Sequence, residues 1–418
     1  MTKKNILVLQ SGGPTAVINQ TLKGIYEEYL KNQKYFGDLY GAHYGLDGLF
    51  QEKLFILNHI NHQTLNHCFE LSGAALGSAR VKPKETDMDR IFEVLKTHNI
   101  GFILYIGGND TSFAAQLIRA HANKIHFDVQ ILHLPKTIDN DLYETDFCPG
   151  YPSSAQVISQ IISGDDLDNR SFQNSVKINV VMGRHTGWLA AASSLPLCYF
   201  NKSQKNSDRI GPHLIYFPET GIQLGKLLSD VENVLSKYGR ASVVVAEGIA
   251  DQLSQTNLTD EVDEFGNKQL ADLGHLGEFL ALHIKRNLKL QSNSKLRIRA
   301  DTLGYLQRSM LGITSQVDKK IAYEVGAKAV EFLLQKVTDR MVKIVRTPNK
   351  EFVMETCDLV LVAGKTRYLP KEMINAEGNF ISDKFFSYIQ PIINPMLPIE
   401  FLENIFVEPK LLPYQRAK

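Results

Sequence analysis

Leu134-Pro135-Lys136-Thr137-Ile138-Asp139-Asn140-Asp141 crowds three carboxylate or amide side chains, a hydroxyl and a lysine into a turn directly after an apolar run. That is the composition of a phosphoryl-transfer site, where cations and metal-binding oxygens neutralise phosphate and a carboxylate takes a proton. Residues 129–134 read as a buried strand, and Pro135 cannot continue the ladder, so the polar residues emerge at the strand's carboxyl end. Open α/β sheets bind their ligands there. Asp139 and Asp141 alternate along an extended chain and point the same way, which suits one to take a proton and the other to hold a metal. A surface turn rich in Asp and Asn has the same composition.

Upstream, residues 5–10 form a short apolar run that ends in Ser11-Gly12-Gly13-Pro14-Thr15, after which Val17, Ile18, Leu22 and Ile25 recur with helical spacing. Such a strand, glycine turn and helix leave backbone N–H groups at a helix N-terminus, where they can hold phosphate oxygens. The turn matches neither the dinucleotide fingerprint nor the nucleotide P-loop. Leu76-Gly77-Ser78-Ala79-Arg80 follows a second small-residue stretch; Arg80 reaches a phosphate there or is simply solvated. Residues 102–106 repeat the first unit, ending in Gly107-Gly108-Asn109-Asp110-Thr111 before a helix with Phe113, Leu117 and Ile118 on one face. These units and the Lys136 strand make consecutive βα units of one parallel sheet, so Asn109, Asp110, Lys136, Asp139 and Asp141 are expected to share a cleft.

After residue 150 the pattern continues as a second α/β layer. Its strand candidates are 178–182, entering Gly183-Arg184; 214–217, entering Pro218-Glu219; and 243–246, entering Glu247-Gly248. Residues 251–269 read as a polar loop or surface excursion. Arg297, Arg299 and Arg308 surround Leu303-Gly304-Tyr305-Leu306-Gln307-Arg308, either as a salt-bridged surface or, beside a phosphate cleft, as anion ligands. Gly364-Lys365-Thr366 follows an apolar strand like the end of a P-loop, but the required earlier glycine falls at Leu359, so Gly364 reads as a turn residue. His59, His62, His67 and Cys68 match no zinc spacing and read as a solvated helix face.

The 418 residues allow two domains, and 44% hydrophobic content is ordinary for a globular protein. With 46 basic and 45 acidic residues the formal charge is +1, which points to neither a nucleic-acid partner nor a polybasic membrane segment. Four scattered cysteines, no signal-peptide core and no long apolar run indicate a cytoplasmic protein with reduced thiols.

From the first strand to about residue 395, these residues resemble the phosphofructokinases, and within them the pyrophosphate-dependent 6-phosphofructokinases. The most specific parts are Pro135 to Asp141, Met182-Gly183-Arg184 and Leu303 to Arg308, in the family's order and approximate spacing. The resemblance implies an α/β, phosphofructokinase-like fold of two Rossmann-like domains with mostly parallel sheets. Residues 1–150 with about 306–355 would bind the phosphoryl donor; 151–305 with about 356–418 would bind fructose 6-phosphate. It implies reversible phosphoryl transfer from diphosphate to the sugar 1-hydroxyl, a step of glycolysis and gluconeogenesis.

By the same resemblance Asp139 is the general base, with Lys136, Asp110 and Thr137 in the catalytic set and Asp141 and Asn109 near Mg²⁺. Gly12, Gly13, Arg80 and the Gly107-Gly108 turn lie around diphosphate. Thr137, Ile138, Asp139, Met182, Gly183, Arg184, Glu219, Tyr305, Leu306, Gln307 and Arg308 bind fructose 6-phosphate. Arg299 reaches the sugar phosphate from a neighbouring subunit, which implies a homodimer or homotetramer.

Asp110 bears on the donor, because ATP-using relatives usually carry a glycine there that leaves room for the α-phosphate. Two unit charges about 4 Å apart repel by roughly 4 kcal/mol at an effective dielectric of about 20. Pyrophosphate has no α-phosphate to collide, and Lys136 neutralises it. Two departures stand out: Asn109 replaces the usual aspartate, and Ser175 lies near an arginine position of the sugar-phosphate site, with Lys177 close by. The rivals are an ATP-dependent 6-phosphofructokinase, a related NAD- or lipid-kinase type that leaves Lys136 to Asp141 unexplained, and a non-catalytic sugar-phosphate-binding subunit, against which Asp139 argues.

Overall fold

The computed structural model describes residues 3–199, 210–255, 275–289, 295–349 and 351–393. Among these, the strands in chain order are β1 (Asn5–Gln10), β2 (Leu39–Ala42), β3 (Leu54–Ile56), β4 (Ile100–Gly107), β5 (Gln130–Pro135), β6 (Ser175–Val181), β7 (Leu214–Tyr216), β8 (Arg240–Ala246), β9 (Arg297–Thr302), β10 (Arg340–Arg346) and β11 (Phe352–Asp358). The chain divides into two compact units, Met1–Ser154 with Tyr305–Tyr368 and Ala155–Gly304 with Leu369–Lys418.

The first unit is built on a sheet of order β11-β10-β5-β4-β1-β2-β3. Its centre is parallel, β2 to β1, β1 to β4, β4 to β5 and β5 to β10, whereas β3 and β11 close the edges antiparallel. Ile6, Leu7, Val8 and Leu9 are 0% exposed, as are Ile103, Leu104 and Ile106. Continuous apolar runs of this kind suit a parallel sheet covered on both faces, where alternation would bury polar side chains. The second unit carries the all-parallel sheet β7-β8-β6-β9. Among the described residues no helix is long and apolar enough to cross a membrane.

The helix Gln316–Leu334 returns the chain to the first unit, packed on the helix Ile18–Lys31 through facing glycines. A Cβ at Gly24 would lie 2.0 Å from the Tyr323 carbonyl, and one at Gly326 would lie 2.0 Å from that of Thr21. Only glycine permits so close a backbone approach. The chain stays there longer than the sequence suggests, since β11 pairs along its full length with β10 and the Leu359–Val362 helix packs on the helix Asn109–Lys124. Residues 356–368 therefore fall in the first unit, as does Tyr305.

Other local expectations are corrected. Pro135 is the last rung of β5, opposite Gly107, because the Gly107 carbonyl takes its hydrogen bond from the Lys136 amide at 2.9 Å instead. Phe113 is 52% exposed, and Ala114, Ala115, Ile118 and Ala122 form the inner face of its helix. The polar stretch after Ile249 begins as a helix, Ile249–Gln255, and 256–269 lie outside the described residues. The apolar run before Gly364 is helical rather than a strand, and Gly364 has φ +72°. His59, His62 and His67 are exposed, in keeping with the solvated face expected of them.

Candidate active site

The carboxyl ends of β1, β4 and β5 are adjacent, so their turns meet. After β1, Gly12 adopts φ +79° and its amide donates to the Ala79 carbonyl at 3.0 Å, which ties the segment carrying Arg80 beside the turn. The helix starts only at Ile18, so the glycine turn is not a helix N-terminus, and the Gly12 amide is already committed. The glycines serve another purpose. A Cβ at Gly12 would sit 3.2 Å from Lys136 Nζ, and one at Gly13 would sit 3.0 Å from Arg308 Cζ, so the bare backbone admits both cations.

Lys136 is 2% exposed, and its ammonium donates to the Gly13 carbonyl at 2.7 Å. Burial pulls its pKa down to about 8, helped by Arg308 and Arg80 and opposed by Asp139 and Asp141. The five charged groups therefore form one electrostatic cluster. Arg308 lies over the Tyr305 ring at 4.5 Å; Tyr305 and Leu306 are exposed, whereas Gln307 is buried. Asp139 and Asp141 are not presented by an extended chain as the sequence suggests, because Asn140 between them is left-handed, φ +55°. The turn is held by the Asp139 amide donating to Thr137 Oγ1 at 3.1 Å and by the Cys148 amide donating to Asn140 Oδ1 at 3.0 Å. Ile138 is 5% exposed, which leaves its backbone rather than its side chain for any ligand.

Gly108 caps the helix that begins with Asn109 and Asp110. Asn109 Nδ2 donates to Asp141 Oδ2 at 2.9 Å, and Asn109 Oδ1 is a buried oxygen without a partner. Mg²⁺ takes one or two carboxylates and completes its octahedron with water and phosphate oxygens. The Asn109 amide beside Asp141 fits such a partial set, even though no group of three or more His, Cys, Asp or Glu placed to hold a metal ion occurs among the described residues. Asp110 is 70% exposed and pairs with Lys82 at 2.9 Å.

Several contributors carry no sequence signal. Besides Lys82, these are Arg367, whose amide donates to the Asp141 carbonyl at 2.8 Å, and His133, which is fully buried. His133 Nε2 faces the Gly107 carbonyl and Nδ1 faces Ser112 Oγ, both at 2.9 Å, so the proton belongs on Nε2. Burial lowers its pKa to about 4, and it stays neutral.

In the second unit Met182-Gly183-Arg184 follows β6. Gly183 has φ +130°, and a Cβ there would meet the Thr186 carbonyl at 2.4 Å. Arg184 is 70% exposed and pairs with Asp251 at 3.2 Å. Glu219 follows β7; its Oε1 accepts the Gly187 and Leu369 amides at 2.9 and 2.8 Å, and its Oε2 is buried without a partner. Burial raises the Glu219 pKa. Arg299 on β9 is exposed and lies in register with Lys177 on β6. Lys177 is held by Asp165 at 2.6 Å, with Asp168 and Asp301 at 3.5 and 3.6 Å, and Ser175 Oγ bonds Asn169. The Arg297 guanidinium stacks 3.3 Å from the Phe172 ring centroid.

The phosphofructokinase family model matches residues 5–333. The chain belongs to the phosphofructokinase family. It is 40% identical to the pyrophosphate–fructose 6-phosphate 1-phosphotransferase of Rhodospirillum rubrum over 95% of this chain and 96% of that one. The enzyme of the same name from Halomonas elongata is 32% identical over 94% and 92%. Among solved structures, the pyrophosphate-dependent phosphofructokinase from Marinobacter aquaeolei superposes with a TM-score of 0.79 at 30% identity, covering 93% of this chain and 91% of that one. The α/β, phosphofructokinase-like fold expected from the motifs is the one found.

Proposed function

We propose that this chain transfers a phosphoryl group reversibly from diphosphate to the 1-hydroxyl of fructose 6-phosphate, giving fructose 1,6-bisphosphate and phosphate. The observation that carries this reading is the buried Lys136, grouped with Arg80, Arg308, Asp139 and Asp141, with Asp110 at the next strand end where ATP users carry glycine. Asp139 takes the 1-hydroxyl proton as the oxygen attacks phosphorus. The bridging P–O bond breaks, and Lys136 and Arg80 hold the departing phosphate, with the bare Gly12-Gly13 backbone leaving room for the cations. Phosphoryl transfer needs positioning and charge neutralisation more than covalent help. Asn109 and Asp141 would hold Mg²⁺, which supplies further neutralisation of diphosphate charge. Glu219 accepts a sugar hydroxyl with its unpartnered Oε2, Arg184 and Arg308 bind fructose 6-phosphate, and Arg299 reaches its phosphate. Because Lys177 is held by aspartates, it is not assigned to that phosphate. Arg299 would come from a second copy in a homodimer or homotetramer; a fully active monomer in sedimentation removes that assignment.

Purified protein given fructose 1,6-bisphosphate, phosphate and Mg²⁺ should release diphosphate and fructose 6-phosphate, a direction an ATP-dependent enzyme does not take with phosphate. Absence of diphosphate release sinks the assignment. A pH dependence follows from Lys136, whose pKa is lowered from 10.5 to about 8. It is charged below about 8, so the KM for diphosphate should rise as pH climbs through that value, earlier than an ordinary lysine would allow. The linked stability runs the other way: from about 8 to 10.5 the unfolded chain holds more protons, so this group's contribution grows with pH. A diphosphate KM flat to pH 10 would show that Lys136 does not hold the donor.

A further inference from the structure

Asp318 stands in the first turn of the helix Gln316–Leu334 and is fully buried. Its carboxylate accepts the Gly150 amide at 2.9 and 3.2 Å, the Ser153 amide at 3.1 Å and the Ser153 hydroxyl at 2.6 Å. The contact is reciprocal, because the Ser315 amide donates to Ser153 Oγ and the Asp318 amide donates to Ser315 Oγ, both at 3.2 Å. A buried carboxylate is costly unless donors surround it, and burial still pushes Asp318 up to about 6 against these donors. So costly a group calls for an account, and none of the steps above uses it.

What Asp318 holds is the segment on which the catalytic turn is laid. Gly150 is bridged to Thr137, whose amide donates to the Pro149 carbonyl at 3.2 Å. Thr137 Oγ1 in turn accepts the Asp139 amide, and the Cys148 amide holds left-handed Asn140. Residues 148–150 therefore template residues 137–140 at two points. Gly150 itself has φ +109°, and a Cβ there would be 2.5 Å from Thr15 Cγ2, so the template has little room to shift.

We propose that Asp318 is a positioning residue for phosphoryl transfer: through Gly150 and Thr137 it fixes the turn that carries Asp139. This rests on Asp139 acting as the general base. The test is a double-mutant cycle between Asp318→Asn and Asp139→Ala, assayed well below each variant's unfolding midpoint so that all molecules are folded. An amide at 318 turns an NH₂ toward donors and leaves them partly unpaired. Displacing reacting groups by about 1 Å costs about 10²-fold. Asp318→Asn should lower kcat by about 10- to 100-fold, with both substrate KM values within about threefold, and should add nothing to the loss in Asp139→Ala. Ser153→Ala removes the hydroxyl donor to Asp318 and the acceptor of the Ser315 amide but keeps the Gly150 and Ser153 amide bonds, and should give a smaller loss of the same kind; it carries the cycle if Asp318→Asn does not fold. An unchanged kcat in the folded variant, or losses that multiply in the double variant, overturns the proposal. Near-normal turnover of Asp139→Ala overturns the reading of the site instead.

Discussion

Asp139→Ala lowers kcat by at least about 10²-fold while the KM for fructose 6-phosphate stays within severalfold, because a general base acts mainly in the transition state. The geometry makes the variant clean. Asp139 is tied to the turn by its backbone amide on Thr137 Oγ1, a bond that the substitution preserves. Its carboxylate also helps keep Lys136 charged, so in the variant the rise in the diphosphate KM should begin at a lower pH than the value of about 8 expected for the wild type. Steady-state kinetics at neutral pH separates the two effects. Turnover near the wild-type level would remove Asp139 from the chemistry.

Lys136→Gly raises the KM for diphosphate by at least about 30-fold, whereas Asp110→Gly has the smaller effect of admitting ATP. Removing one partner of a buried, hydrogen-bonded charge contact costs about 2–5 kcal/mol, and Lys136 is the buried member. Asp110 is exposed and compensated by Lys82. The repulsion expected between Asp110 and an α-phosphate therefore falls from roughly 4 kcal/mol toward the roughly 1 kcal/mol of charges in water, about a fivefold effect. Steric exclusion adds to it. ATP also needs a place for its nucleoside, which Asp110→Gly does not supply. Comparing kcat/KM for both donors across the wild type, the two single variants and the double variant separates these terms. Unchanged diphosphate use in Lys136→Gly would contradict the assignment of the donor site.

The parallel sheet was readable because β1, β4 and β5 are continuous apolar runs, each ending in a polar turn, a pattern local to ten or so residues. The gathering of Asn109, Lys136, Asp139 and Asp141 followed from those strands being neighbours. What escaped depends on pairs far apart in the chain. Gly150 and Asp318 are 168 positions apart, and nothing around either announces the other. Lys82 becomes the partner of Asp110 only once the segment carrying Arg80 is laid against the Gly12 turn. Local backbone also misled: Asp139-Asn140-Asp141 reads as alternation in an extended chain, whereas Asn, which tolerates the left-handed region, bends it. Phe113 was placed inward by helical spacing, yet the small residues Ala114 and Ala115 form the inner face, which lets the helix lie close to β4 and β5.

The central claim is the choice of donor for a sugar-phosphate acceptor. The most direct measurement is formation of fructose 1,6-bisphosphate from fructose 6-phosphate and Mg²⁺, with diphosphate and ATP supplied in parallel to the same purified protein. The kcat/KM for diphosphate should be at least about 10²-fold above that for ATP, a difference of about 2.7 kcal/mol. Equal or better use of ATP, or no product with either donor, would contradict it.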